Sequence, residues 1–303
     1  MASTRFDGVL APVITPFRDN LSPDVSRFVT HCQWLIWQGV ALAVFGTNSE
    51  ANSLSIDERL RLLDNLLEAG IDPAMLMPGT GCCALSDTVR LTAHAVALGC
   101  KGTLMLPPFY YKGISDEGLY AFYSEVIQRV ASPALKIYLY HIPLVSQVPL
   151  SIELIDRLVQ SHPQNIAGIK DSSGDWENTK ALNAQEWPDF RVFCGSEIFL
   201  LQNMQHGGAG CISATANVNP AAIKNLYQNW HASDAEQRQQ DLNKIRNIFQ
   251  SLPMIPALKS ATSFYSSDPA WLRVRPQLVA LASDQMARLQ QQLLAAEFDM
   301  AGL

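Results

Sequence analysis

Short apolar runs, rich in β-branched residues, alternate along the chain with longer stretches in which apolar positions recur every three or four residues. The runs predict strands over Val9–Phe17, Ala41–Gly46, Ala74–Gly79, Gly102–Leu106, Lys136–Tyr140, Ile166–Lys170, Arg191–Cys194 and Gly210–Ser213. The stretches between them predict helices near 24–38, 56–69, 86–98, 116–131, 151–161, 176–185, 197–206 and 219–231. Helix-start chemistry supports the division: Ser55, Ser86, Ser115 and Ser151 each precede an acidic residue in the expected first turn. A strand followed by a helix, repeated about eight times, implies a parallel sheet. Nearly continuous apolar strands imply a sheet covered on both faces. The class is α/β, and the number of units fits a (β/α)8 TIM barrel better than an open doubly wound sheet. Beyond residue 231 the alternation gives way to helix alone, over Asp234–Leu252 and Gln277–Phe298. The expected organisation is therefore a barrel over 1–231 and a C-terminal helical extension over 232–303, packed on the barrel because no Gly/Ser linker separates the two.

Composition narrows the partners. With 22 basic and 28 acidic side chains, the net charge is −6, which argues against nucleic acid, whose phosphates need clustered Lys and Arg. No run approaches the roughly 18 apolar residues of a membrane span, and the proline-interrupted start does not resemble a secretory signal. The six scattered cysteines, Cys32, Cys82, Cys83, Cys100, Cys194 and Cys211, read as buried free thiols in a reducing cytoplasm. The histidines lack metal-ligand spacing, so no metal is expected. Gly79-Thr-Gly-Cys-Cys-Ala84 imitates a dinucleotide fingerprint but has no acidic residue placed for a ribose, so no cofactor is expected.

A barrel carries its chemistry at the C-terminal ends of its strands. Those ends read Thr47-Asn-Ser-Glu50, Pro107-Pro-Phe-Tyr-Tyr111, Tyr140-His-Ile-Pro143, Lys170-Asp-Ser-Ser-Gly174, Gly195-Ser-Glu197 and Ser213-Ala-Thr-Ala-Asn217. Lys170 ends an otherwise apolar strand. Desolvation there favours the neutral amine, a nucleophile toward carbonyls; the competing reading is a lysine snorkelling to the rim. Tyr140, ending the neighbouring strand, is a candidate proton shuttle. His141 comes next in the chain but should point to the opposite face.

These segments resemble, in order, the motifs of the dihydrodipicolinate synthase / N-acetylneuraminate lyase family of Schiff-base-forming lyases. Gly46-Thr-Asn-Ser-Glu50 is similar to G-[ST]-T-G-E, Tyr140-His-Ile-Pro143 to Y-N-[IV]-P, and Gly168-Ile-Lys-Asp-Ser-Ser-Gly174 to the segment around the imine-forming lysine. Gly207–Asn217 and Pro108–Tyr111 are similar to the family's strand-eight and tyrosine segments. The resemblance implies that Lys170 forms an imine with pyruvate or another 2-oxo acid and that Tyr140 moves protons. Thr47 would link Tyr140 to a tyrosine shared across a subunit interface, Tyr110 or Tyr111. Backbone N–H groups at Thr47 and Asn48 would hold the substrate carboxylate, and Ile212 would line the pocket. Ser49, Val145, Ser172, Gly195 and Glu197 complete the expected substrate site. The family's usual assembly implies a homotetramer.

Two departures matter. Asn48-Ser49 replaces Thr-Gly, and serine does not share glycine's access to positive φ. Val145 stands where the synthases of lysine biosynthesis carry an arginine for the second substrate's carboxylate. With no other arginine near a strand end, the expected distal pocket is uncharged, with Ser146 and Gln147 suited to hydroxyls. The expected substrate is then a 2-keto-3-deoxy sugar acid or a sialic-acid-like molecule, with aldol cleavage as the reaction and dehydration as the alternative. A barrel that binds a small molecule without turning it over is the competing reading from a different class.

Overall fold

The computed structural model of the protein describes residues 5–303, so the first four residues of the expected 1–231 segment lie outside the described residues. Seven strands form one sheet: β1 (Gly8–Ala11), β2 (Ala41–Leu42), β3 (Thr103–Met105), β4 (Ile137–His141), β5 (Ile166–Asp171), β6 (Arg191–Cys194) and β7 (Gly210–Ile212). Their order is β2-β1-β7-β6-β5-β4-β3, and every pairing is parallel. The helices are α1 (Val25–Trp37), α2 (Ile56–Glu68), α3 (Leu85–Ala97), α4 (Asp116–Val130), α5 (Pro143–Ser146), α6 (Ile152–Ser161), α7 (Trp176–Asn183), α8 (Leu200–Gln205), α9 (Pro220–Gln228), α10 (Ala235–Gln250), α11 (Met254–Ser266) and α12 (Ser283–Ala295).

Prolines account for the main differences from the expected strands. β1 stops at Ala11 because Pro12 has no N–H to give the ladder, and Pro16 lies further on. The strand expected over 74–79 begins instead as a 3-10 turn, Pro73–Met75, capped by the Asp72 side chain, which accepts the N–H of Ala74. Residues 76–79 then join the sheet only through isolated parallel bridges, Leu42↔Leu76 and Gly79↔Leu104. Pro78 interrupts any continuous ladder there. Even so, the N–H of Met77 reaches Leu42 O at 2.8 Å and that of Leu104 reaches Pro78 O at 2.9 Å. The segment thus touches both edge strands of a curled sheet. Gly79 is sterically required at this position: a Cβ would stand 2.2 Å from Phe45 O. Close backbone approach accounts for the first glycine of the apparent dinucleotide motif.

Side-chain alternation separates an inner from an outer layer. Leu10, Met77, Leu104, Tyr138, Tyr140, Phe193 and Ile212 cluster inside the curl. Ile137 and Leu139, on either side of Tyr138 in β4, pack outward with α4 and α6. Ser55, Ser115 and Ser151 cap α2, α4 and α6 as expected. Ser86 does not cap: α3 starts one residue earlier, at Leu85, and Thr88 Oγ1 accepts the N–H of Cys82 instead. The last three helices share the core of the first strands, since Leu242, Phe249, Leu258 and Leu293 belong to one apolar cluster with Val9, Ile14 and Leu35. Cys32, Cys100, Cys194 and Cys211 are buried free thiols, but Cys82 is half-buried and Cys83 exposed, because they lie in the loop beyond the 76–79 segment rather than in a strand. Among the described residues, no helix is long and apolar enough to cross a membrane.

Candidate active site

Lys170 and Tyr140 are register partners on β5 and β4, so their side chains leave the sheet side by side. Both are buried, and Lys170 Nζ sits 4.3 Å from the centre of the Tyr140 ring. The Tyr140 hydroxyl is 3.2 Å from Thr47 Oγ1, which the loop after β2 delivers. All three border one open cavity of about 400 Å³ at the C-terminal ends of the strands, together with Asn48, Val145, Ser172 and Gly195.

The loop that carries Thr47 is wound by its own hydrogen bonds. Ser49 N–H and Glu50 N–H donate to Gly46 O and Thr47 O, and Ser49 Oγ accepts the N–H of Gly46. The positive φ angles fall on Phe45 (60°) and Glu50 (56°), not on Ser49, so replacing the family's glycine by Ser49 introduces no strain. Ser49 is fully buried, and its carbonyl accepts the Thr15 hydroxyl at 2.7 Å, so its role is to hold the loop rather than to face the cavity. Among the described residues, no hydrogen bond consumes the N–H groups of Thr47 or Asn48, which leaves them available to an anion. Glu50 is held from behind: Lys259 of α11 pairs with its carboxylate, and Arg275 N–H donates to it at 3.0 Å.

Gly195 is a close-approach position. A Cβ there would lie 2.0 Å from Ser172 Oγ, and its N–H donates to Asp171 O at 2.7 Å. Asp171 points away from the chemistry, because its carboxylate accepts from Ser173, Asn178 and Thr179. His141 also faces away: its Nδ1 accepts the Leu150 N–H at 3.0 Å, and burial lowers its pKa against the pull of Asp171.

Other expected residues fall elsewhere. Ile212 is fully buried in the inner layer, outside the set that borders the cavity. Tyr110 and Tyr111 are 73% and 74% exposed, packed edge-on against each other, and neither borders the cavity. Glu197 is buried and outside the set that borders the cavity, and its two oxygens accept the hydroxyls of Ser213 and Thr215. Its carboxylate is tied to the cavity lining by Arg246, whose Nη1 lies 3.3 Å from Glu197 Oε2 and 3.2 Å from Ser213 Oγ.

Arg246 is the cavity residue the sequence reading missed, and it corrects the expectation of an uncharged distal pocket. It sits on α10, beyond the strand-and-helix repeat, so a search of strand ends passes over it. The available signal was Glu197, an acid inside a strand-end segment that needs a cationic partner when buried. Val145 is exposed at the cavity rim, as expected, but Ser146 is buried with its hydroxyl spent on Ile142 O and Val148 O. An amine, a phenol and a hydroxyl in line, with two unpaired N–H groups and a guanidinium nearby, can bind an anionic carbonyl compound and move protons at it.

A family profile described as the dihydrodipicolinate synthetase family matches residues 5–296. A DapA-like lyase of Chloroflexus aurantiacus, itself described as uncharacterized, is 32% identical over all of this chain and 99% of its own. The crystal structure of dihydrodipicolinate synthase from Agrobacterium tumefaciens aligns with a TM-score of 0.88 at 29% identity, covering 95% of this chain and 99% of that one. YagE from E. coli K12, a prophage protein of the same family solved with pyruvate, aligns with a TM-score of 0.86 at 26% identity, covering 97% and 99%.

Proposed function

The chain belongs to the dihydrodipicolinate synthetase family, whose members are lyases, and from that premise we propose that it is a pyruvate-dependent, Schiff-base lyase built on a closed (β/α)8 barrel over 1–231 with a helical extension over 232–303. On this reading residues 76–79 stand in the eighth strand position. The observation that carries the chemistry is the meeting of Lys170, Tyr140 and Thr47 at one cavity, beside two backbone N–H groups with no partner among the described residues.

The Lys170 amine adds to C2 of a 2-oxo acid whose carboxylate rests on the N–H groups of Thr47 and Asn48. Tyr140 passes a proton to the oxygen leaving C2 as water, and an iminium remains. For a 4-hydroxy substrate, removal of the C4 hydroxyl proton breaks the C3–C4 bond. The bonding pair moves into the iminium, giving an enamine and a free aldehyde. Protonation at C3 and addition of water return pyruvate and the amine. Tyr140, hydrogen-bonded to Thr47, is positioned for these transfers. The substrate class is a 2-keto-3-deoxy sugar acid or a related molecule, and loss of a hydroxyl from the same iminium would make the enzyme a dehydratase. The protein is read as cytoplasmic and homotetrameric, with Tyr110 or Tyr111 crossing between subunits.

Borohydride added with pyruvate tests the central step. The expected result is a reduced pyruvyl adduct on Lys170, seen by mass, with loss of activity. A protein that binds pyruvate without an adduct would instead be a binding module. Pyruvate release from a panel of 2-keto-3-deoxy acids and N-acetylneuraminate then identifies the substrate, and aspartate semialdehyde with pyruvate tests the synthase direction.

A further inference from the structure

Three charged residues border the cavity: Lys170, Asp171 and Arg246. The Asp171 carboxylate is held away from the cavity by donors from Ser173, Asn178 and Thr179. Lys170 is the amine that the Schiff-base reading uses. Arg246 remains, with its side chain 12% exposed and facing the same space. Its Nε donates to Gln250 Oε1 and its Nη1 to Glu197 and Ser213, whereas Nη2 has no partner among the described residues. Glu197 pairs with Arg246 through Nη1 at 3.3 Å and fixes its orientation, while the Ser213 and Thr215 hydroxyls hold the Glu197 carboxylate in turn, so the donor left toward the cavity is Nη2.

A guanidinium held through Nε and Nη1, with Nη2 unpartnered among the described residues, offers a fixed charge-assisted donor to an anion. We infer that Arg246, oriented by Glu197, receives a second carboxylate at the distal end of the substrate, so that the enzyme acts on dicarboxylic 2-oxo acids. The inference rests on the Schiff-base reading and names its substrate class. The first carboxylate is accounted for by the N–H groups of Thr47 and Asn48, and the iminium leaves Lys170 positively charged. The unpartnered Nη2 of Arg246 is then the charge-assisted donor left for a second anion. A carboxylate fits better than a phosphate: a dianion would meet one guanidinium already shared with Glu197, with no further cation bordering the cavity. Val145, at the rim, contributes no charge to either end.

Two matched pairs of 2-oxo acids test this without requiring turnover. 2-Oxoglutarate and 2-oxopentanoate differ in a terminal carboxylate against a methyl group, as do 2-oxoadipate and 2-oxohexanoate. Each is titrated into the protein, and the adduct trapped by borohydride is quantified by mass. At least one dicarboxylate should half-saturate at a concentration tenfold or more below its monocarboxylate partner, about the scale of a hydrogen bond to a charged group. Arg246→Gln should collapse that ratio, and Arg246→Lys should keep part of it. Equal half-saturation within both pairs in the natural protein would overturn the inference, and this comparison does not depend on any variant folding. A ratio that survives in a folded Arg246→Gln protein would also overturn it, because the carboxylate would then be held elsewhere. Absence of any adduct, including with pyruvate, would fail the Schiff-base reading itself and this inference with it.

Discussion

At Lys170, nothing else that borders the cavity can replace an amine as a carbon-directed nucleophile. Lys170→Ala should therefore abolish turnover while leaving thermal unfolding nearly unchanged, since a strand-end side chain at a cavity adds little to the core. A folded Lys170→Ala protein that retained near-normal rate would end the imine mechanism. Tyr140→Phe removes the hydroxyl but keeps the ring beside Lys170. The rate should fall by about 10²–10⁴, the usual worth of a positioned acid or base, while some trapped adduct persists. His31 makes a separate prediction about stability. It is fully buried, with its ring stacked on Trp34 and edge-on to Trp271, and burial pushes its pKa down to about 4; the nearby Asn217 amide offsets only part of that cost. A depressed histidine pKa means that the unfolded chain takes up a proton from about pH 6.5 downward while the folded chain does not. Stability contributed by neutral His31 is thus present above about pH 6.5 and lost as pH falls toward 4, by up to about 3 kcal/mol. Denaturant unfolding across that window should show the loss in the natural protein and a flatter profile in His31→Phe.

The loop over residues 46–50 is the element on which the chemistry depends, and it is anchored from the far end of the chain. Lys259 of α11 is fully buried against Glu50, with Arg273 O as a second acceptor and the centre of the Phe17 ring 4.5 Å from its ammonium. Burial lowers the Lys259 pKa, and the Glu50 carboxylate pulls it back. Removing one member of such a pair leaves a buried charge without its partner, so Lys259→Met should cost about 3–5 kcal/mol in unfolding free energy. It should also loosen Thr47 and slow turnover at temperatures where the variant is still folded. Lys259→Met combined with Glu50→Gln should recover part of the stability, and a strictly additive loss in that double variant would mean the two side chains do not act as a pair. The strand-end segments were readable in the sequence, because apolar strands, helix caps and family-like motifs all carry short-range patterns. Thr47, Tyr140 and Lys170 meet as those patterns implied. Long-range ties lay beyond reach. Neither Lys259 nor Arg246 belongs to a strand end, and the acids that tie them to the site, Glu50 and Glu197, stand 209 and 49 positions away in sequence. The 76–79 segment was readable as apolar, but Pro78 decides how it bonds, and that depends on which neighbours the fold presents.

Across the whole molecule, two features concern how the site is completed. Tyr110 and Tyr111 stand exposed on the loop after β3, and Leu144 and Val145 are exposed on α5 after β4. If assembly covers the tyrosine shared with Thr47 and Tyr140, one of Tyr110→Phe and Tyr111→Phe should lower turnover well below the other, while sedimentation reports the same assembly state as for the natural protein. Equal, near-natural rates in both would leave Thr47 as the end of the relay. The second feature is the dependence of the strand-and-helix repeat on α10, α11 and α12. A division at residue 231 separates two stretches of sequence pattern, but not two cores. Leu242, Phe249, Leu252, Ala257, Leu258, Ala261, Leu289 and Leu293 are all buried in the cluster that holds Val9, Ile14 and Leu35. Each leucine or phenylalanine buried there contributes roughly 1.5–3 kcal/mol, so their joint removal approaches or exceeds the roughly 5–15 kcal/mol that holds a typical domain folded. The same cut removes Lys259 from Glu50 and Arg246 and Gln250 from the cavity wall. A chain ending at residue 231 should therefore lack a cooperative thermal transition, show weak near-ultraviolet circular dichroism and trap no pyruvate. Adding residues 232–303 as a separate peptide should restore little, because the buried face of α10–α12 would have to find its place against an already collapsed chain. A cooperative melt together with pyruvate trapping in the truncated chain would establish 1–231 as a self-sufficient catalytic domain, with the last helices serving only to select the substrate.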